Sequence, residues 1–378
     1  MSNFDRLIEF LDDRLANNYM PGFDCIVYHK NKEVFRYFNG YSDRENGIKV
    51  NGKEKYFMYS ASKIVTCAAV MKAYEEGYFL FSDNVSDFFP EYRDCKVLTS
   101  DGTIQPLKRE MRIQDLITMT SGIVLWPIDG LIEEELGGNK NFKTKDFVKA
   151  LAKSPLGFQP GEEFRYGLSH DVLAGIVEVA VGMDFNDYVT EKIFKPLGMT
   201  NSTYRLTSDV LSSLSQQYIR NVETGEIEVF GRRNFIYESN MFDCGGAGLV
   251  STMDDYSKFA AAMANYGLGL NGNRILNKST VNLMRTPLLK GKPFDQFNSN
   301  PNNAEYNYAY GVKTKIGELY GGNVSSIGEF GWDGAAGAFV SLDPERGIAI
   351  VYLQHMLNPD LIKLHPRIRS LVTLALGY

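Results

Sequence analysis

The stretch that most constrains this chain is residues 60–76, SASKIVTCAAVMKAYEE. Its first four turns carry apolar or small side chains nearly all round, and Gly77 supplies a stop. A helix with no polar face has no side to offer water, so it must be enclosed by other elements. The chain has 378 residues, 44% of them hydrophobic and 23% charged, which is enough to build such an enclosure without disulfides or metals.

The rest of the chain supplies the enclosing layers. Leu7, Ile8, Leu11 and Leu15 recur at helical spacing near the start. Asp24–His29 and Glu33–Phe38, separated by Lys30-Asn31-Lys32, read as a hairpin. From 78 to 225 the pattern is mostly helical, with helices expected over Arg112–Met119, Lys145–Lys153, His170–Val181 and Phe185–Ile193. Strand patterning returns near Ile227–Phe230, and a helix follows over Asp254–Tyr266. Gly291–Asn307 is rich in Asn and Pro and reads as a long loop. Tyr308–Ile316, Ala336–Leu342 and Ile348–Leu353 read as strands, and Asp360–Leu376 as a closing helix. Local hairpins favour an antiparallel sheet over βαβ units. The expected fold is α/β of the α+β type: residues 1–77 and 226–378 form one discontinuous domain, 78–225 a helical domain, and the active site lies where they meet.

Several function classes are disfavoured. Net charge is −6 with both signs interspersed, which does not suit nucleic acid or an anionic membrane. The first residues lack the basic-then-apolar layout of a signal peptide, and no apolar run reaches membrane-spanning length. A cytoplasmic location is expected. Cys25, Cys67, Cys95 and Cys244 are too far apart for zinc or redox motifs and read as free thiols in the core. His29, His170, His355 and His365 show no metal-binding spacing, so no metal or cofactor is expected.

Within the apolar helix, Ser60 and Lys63 stand one turn apart and share a face. A buried amine that sheds its proton can accept one from a neighbouring hydroxyl. Backbone N–H groups at the helix start favour developing negative charge. S-x-x-K alone is a loose pattern, equally readable as an N-cap serine followed by a surface lysine. Its surroundings narrow the choice. FMYSASKIVTCAAVMKAYEEGYFLFSDNVSDFFPEY, RIQDLITMTSGI, PGEEFRYGLSHDVLAGIVEVAVG, PLGM, GGAGLVSTMDDYSKF and FGWDGAAGAFVSLDPERG follow one another between about residues 20 and 355. Together they resemble the penicillin-recognising serine hydrolases: class C β-lactamases, D-amino-acid peptidases and β-lactamase-like carboxylesterases.

That resemblance implies a β-lactamase/DD-peptidase-like fold, an antiparallel sheet flanked by helices with an inserted helical domain. It implies Ser60 as nucleophile, Lys63 as its proton partner and Tyr166 as the second proton carrier. It places Trp332-Asp333-Gly334 on a strand beside the nucleophile, with the N–H groups of Ser60 and Ala335 as the oxyanion hole. Two departures from the family pattern stand out. Leu168 replaces the asparagine of the second motif. Trp332 replaces the cation that pairs with a substrate carboxylate, and Asp333 adds repulsion if it faces the cleft. Both favour a small neutral ester or amide over a β-lactam or a D-amino-acid peptide. A non-catalytic binding relative is the rival of a different class. Trp126 is a candidate for the acyl pocket. His170 and Lys313-Thr314-Lys315 are read as solvated helix and strand faces, and Arg232-Arg233 as a solvated loop. Gly267–Gly272 spells GxGxxG but follows a helix, so the dinucleotide reading fails its context.

Overall fold

The computed structural model describes residues 3–124, 134–136, 141–231, 239–317 and 322–378. One antiparallel sheet contains eight strands: β1 (Gly22–His29), β2 (Lys32–Asp43), β3 (Ile48–Lys49), β4 (Tyr306–Tyr308), β5 (Lys313–Lys315), β6 (Phe330–Asp333), β7 (Phe339–Asp343) and β8 (Ile348–Leu353). Their spatial order is β4-β5-β6-β7-β8-β1-β2-β3, so distant parts of the chain meet where β1 pairs with β8. Alternating side chains on these strands serve two cores. Cys25, Val27, Ile350 and Tyr352 face Leu7 and Leu11 of helix α1 (Asp5–Ala16), together with the helix at Leu361–Ala375. Ile26, Ala349, Val351 and Leu353 face the opposite way, into the larger core. The sheet is therefore covered on both faces, which is why its central strands read as nearly unbroken apolar runs.

Helix α2 (Ser62–Glu75) is the apolar helix, and every residue from Ser62 through Met71 is buried. It packs against α3 (Ser169–Val181), while α4 (Met253–Ala264) lies on the sheet strands β7, β8 and β1. All four cysteines are free and buried. Among the described residues no helix is long and apolar enough to cross a membrane.

Three expectations need correction. Gly291–Asn307 is not a loop: it holds a helix at Gly291–Asn298 and a 3₁₀ turn at Pro301–Asn303. Burying Phe297, with Phe294 packed alongside, beside Tyr306, Tyr308 and Met119 overrides the local Asn/Pro composition. Tyr308–Ile316 is not one strand but the β4–β5 hairpin, bent at Gly311, where φ is +78° and an added Cβ would lie 2.0 Å from the Cys67 sulfur. The strand expected from Ala336 starts at Phe339 instead. Before it, Gly334 N–H donates to the Ala338 carbonyl at 2.8 Å and Gly337 takes φ +95°, closing a turn.

Candidate active site

Ser60 sits in the 3₁₀ turn Tyr59–Ala61 that opens into α2. Tyr59 has φ +48°, a left-handed conformation uncommon for a bulky residue. Its ring rests edge-on against Phe57 at 4.8 Å, and its hydroxyl accepts a hydrogen bond from the Gln217 amide. This kink turns the chain from the short strand Lys55–Phe57 into the helix and leaves Ser60 lining a cavity of about 410 Å³. Lys63 is 3% exposed. Its Nζ lies 3.3 Å from Ser60 Oγ and donates to the Gly246 carbonyl at 2.6 Å. The Tyr166 ring covers the same nitrogen, with its centroid 4.6 Å away.

The cavity wall joins the remaining motif residues. Trp332 stacks on Tyr166 at 5.7 Å, and its indole N–H donates to the Tyr166 hydroxyl at 3.2 Å. The indole also meets the buried Tyr308 edge-on at 5.3 Å. Gly334 follows at the end of β6, where an added Cβ would come within 2.5 Å of the Met58 carbonyl. That close approach brings Ala335 and Ser60 to the same cavity. Phe164 and Phe297 complete an aromatic side.

The charged floor differs from expectation. Lys313 does not lie on a solvated face: Lys313, Thr314 and Lys315 are all buried. Lys313 Nζ donates to Asp333 at 2.8 Å, and His365 Nδ1 lies 3.3 Å from the other oxygen of the same carboxylate. Burial would push the Asp333 carboxyl up, but Lys313 and then His365 outweigh it and hold it well below the usual carboxylate range. Asp333 is therefore a paired anion, and a cation reaches the cleft from β5 although Trp332 occupies the motif position. His170 is also corrected. It is fully buried on α3, and burial, then Lys63, push its imidazole well below its ordinary range. A helix that is buried on nearly all its faces leaves it no route to water.

The structure brings Ser60, Lys63, Tyr166, Trp332, Gly334 and Ala335 together. Leu168 precedes α3 and belongs to the core, outside the cavity lining. Trp126 and Arg232-Arg233 lie outside the described residues. The reading from sequence missed Lys313, His365 and Gly246. Gly245–Phe259 stood out as a motif, but nothing in a glycine's identity says that its carbonyl holds a lysine. Among the described residues no group of three His, Cys, Asp or Glu side chains is arranged to hold a metal ion.

A family model described as Beta-lactamase matches residues 7–373. The chain belongs to the beta-lactamase family. Within that family it is 28% identical to Protein Rv1367c of Mycobacterium tuberculosis, over 85% of this chain and 82% of that one. It is 26% identical to Esterase EstB of Burkholderia gladioli, over 69% and 70% of the two chains. Among solved structures, EstCE1, described as a hydrolase with promiscuous acyltransferase activity, superposes with a TM-score of 0.80 at 20% identity, covering 98% of each chain. The beta-lactamase-family fold thus carries the whole chain, and its relatives include hydrolases and acyltransferases.

Proposed function

We propose that this chain is a serine hydrolase that works through an acyl-enzyme on a small ester or amide, with esters favoured. The observation that carries the reading is the convergence on one amine: Lys63 Nζ lies 3.3 Å from Ser60 Oγ and beneath the Tyr166 ring. In this reading Ser60 Oγ attacks the substrate carbonyl carbon while its proton passes to Lys63. The N–H groups of Ser60 and Ala335 hold the oxyanion. Tyr166 delivers a proton to the departing alcohol or amine, and water then cleaves the Ser60 ester. The site lies between residues 78–225, which supply Tyr166, and the two outer segments, which supply Ser60 and Ala335; we take these as two domains.

The flat Trp332 face and the Asp333 pairing favour an uncharged acyl or alcohol group, and the esterase name of the Burkholderia relative agrees. Lys313 in the cleft supports β-lactam or D-amino-acid peptide turnover as the second reading. A purely binding relative has no need of a buried lysine held against a serine hydroxyl. The test compares short nitrophenyl esters, a chromogenic cephalosporin and D-Ala-D-Ala peptides, with mass spectrometry after fluorophosphonate treatment. Ester turnover and an adduct on Ser60, both lost in Ser60→Ala, are expected. Turnover that survives Ser60→Ala refutes the reading.

A further inference from the structure

Lys63 lacks the partner that its family position would supply, because position 168 is a buried leucine. The structure provides another support. The Gly246 carbonyl accepts from Lys63 Nζ at 2.6 Å. The preceding peptide plane, between Gly245 and Gly246, is held at both ends. Its carbonyl accepts from Thr66 Oγ1, on the same helix as Lys63, at 2.7 Å, and its N–H donates to Asp171 Oδ1 at 3.0 Å. Asp171 is 1% exposed, and the same oxygen accepts from the Cys244 thiol at 3.1 Å. Neither glycine tolerates a side chain: a Cβ on Gly246 would meet Asp171 Oδ2 at 2.7 Å, and one on Gly245 the His170 carbonyl at 2.5 Å. A buried carboxylate is costly unless charge or hydrogen bonds compensate it. The titratable groups facing Asp171 are Lys63 from α2, Cys244 from the glycine loop and Tyr92 from the 3₁₀ turn at Pro90–Tyr92. Burial pushes the Asp171 carboxyl up, and the Gly246 N–H, the Cys244 thiol and Lys63 oppose that shift.

We propose that Asp171 is a positioning residue: through the Gly245-Gly246 backbone it sets the carbonyl that holds Lys63 against Ser60, replacing the missing side-chain amide at position 168. This rests on the serine-hydrolase reading above. Displacing an acid/base group by about 1 Å can lower rate about 100-fold without changing how substrate docks. The experiment compares Asp171→Ala and Asp171→Asn in the full chain, using nitrophenyl ester kinetics across pH, thermal melts and crystal structures. Asp171→Ala should lower kcat about 100-fold with KM within about twofold, and Lys63 Nζ should leave the Gly246 carbonyl. Asp171→Asn keeps the acceptor and should recover kcat to within about fivefold of the parent. It removes the ionisable carboxyl that faces Lys63, so the acid limb of kcat/KM should move to lower pH. A folded Asp171→Ala with Lys63 unmoved overturns the proposal. So does an Asn variant with an unmoved acid limb and unchanged kcat, which decides the matter if the Ala variant does not fold. If Ser60→Ala hydrolyses as fast as the parent, the serine reading fails separately, and the position of Lys63 in the Asp171 variants still decides this one.

Discussion

His355 gives the most quantitative prediction, because its ring is buried and both its nitrogens are assigned by their neighbours. Nδ1 lies 3.0 Å from the Ser215 carbonyl, so it carries the proton, and Nε2 accepts from the Phe57 N–H at 3.4 Å. Burial lowers its pKa from 6.5 to about 4, opposed only in part by the Ser215 hydrogen bond. Protonation would put a donor on Nε2 facing the Phe57 N–H, three residues before Ser60. The gap between 6.5 and about 4 corresponds to about 3 kcal/mol. The sign follows from proton uptake. Between these values the unfolded chain binds a proton that the native state refuses, so the native state loses stability as pH falls from 6.5 toward 4.

Four carboxyls among the described residues act in the opposite sense, Glu178, Asp24, Asp171 and Asp243, all raised chiefly by burial. Burial raises Glu178 to about 7, and burial raises Asp24 to about 6 against the pull of Arg36. Each takes up a proton in the native state before it would in the unfolded chain, so each favours folding as pH falls through that window. The parent's own pH curve therefore mixes these contributions, and a difference between two proteins isolates the histidine. Urea unfolding of the parent and of His355→Gln from pH 7.5 to 4.5 provides it. The stability advantage of the parent should shrink by about 2–3 kcal/mol over this range. A difference that stays flat within about 0.5 kcal/mol refutes the assignment of His355 as a neutral buried group.

Three further perturbations test the cleft. Trp332→Phe keeps the stack on Tyr166 but removes the indole donor; a loss of about 1 kcal/mol, near fivefold in kcat on a nitrophenyl ester, is expected, with KM little changed. Gly334→Ala drives a methyl toward the Met58 carbonyl; thermal melts should show about 1–3 kcal/mol of destabilisation, and kcat should fall at least as steeply. Lys313→Met leaves Asp333 short of its main partner. Denaturant unfolding should register about 2–3 kcal/mol, less than for a fully enclosed pair because the Asp333 side chain keeps 28% exposure, and adding Asp333→Asn should recover most of it.

What could be read beforehand divides along physical lines. The buried helix was legible because encirclement by apolar residues has only one solution. The antiparallel sheet was legible through β1, β2 and β8, whose hairpin turns and β-branched, aromatic composition are local signals. The placement of Tyr166 and the Trp332–Ala335 strand came from resemblance and not from periodicity. The failures share a different cause. Phe294 and Phe297 are stabilised by Tyr306 and Tyr308, and a window of composition cannot see partners that distance brings together. The β4–β5 bend depends on Gly311 meeting Cys67, a contact spanning most of the chain.

The charges carry the same lesson further. Lys313 looked solvated because lysine usually is, and Asp333 looked repulsive because it was considered alone. Paired across neighbouring strands at 2.8 Å, they cancel. The motif position held by Trp332 therefore does not fix the charge preference of the cleft. A substrate carboxylate would have to compete with Asp333 for Lys313, whereas a neutral ester leaves that pair intact and needs only the aromatic wall and the backbone N–H groups. Selection between the two is thus a matter of whether binding breaks an existing ion pair. Asp333→Asn frees Lys313 and should shift the ratio of anionic to neutral ester turnover toward the anion, and an unchanged ratio would show that Lys313 does not reach the bound substrate.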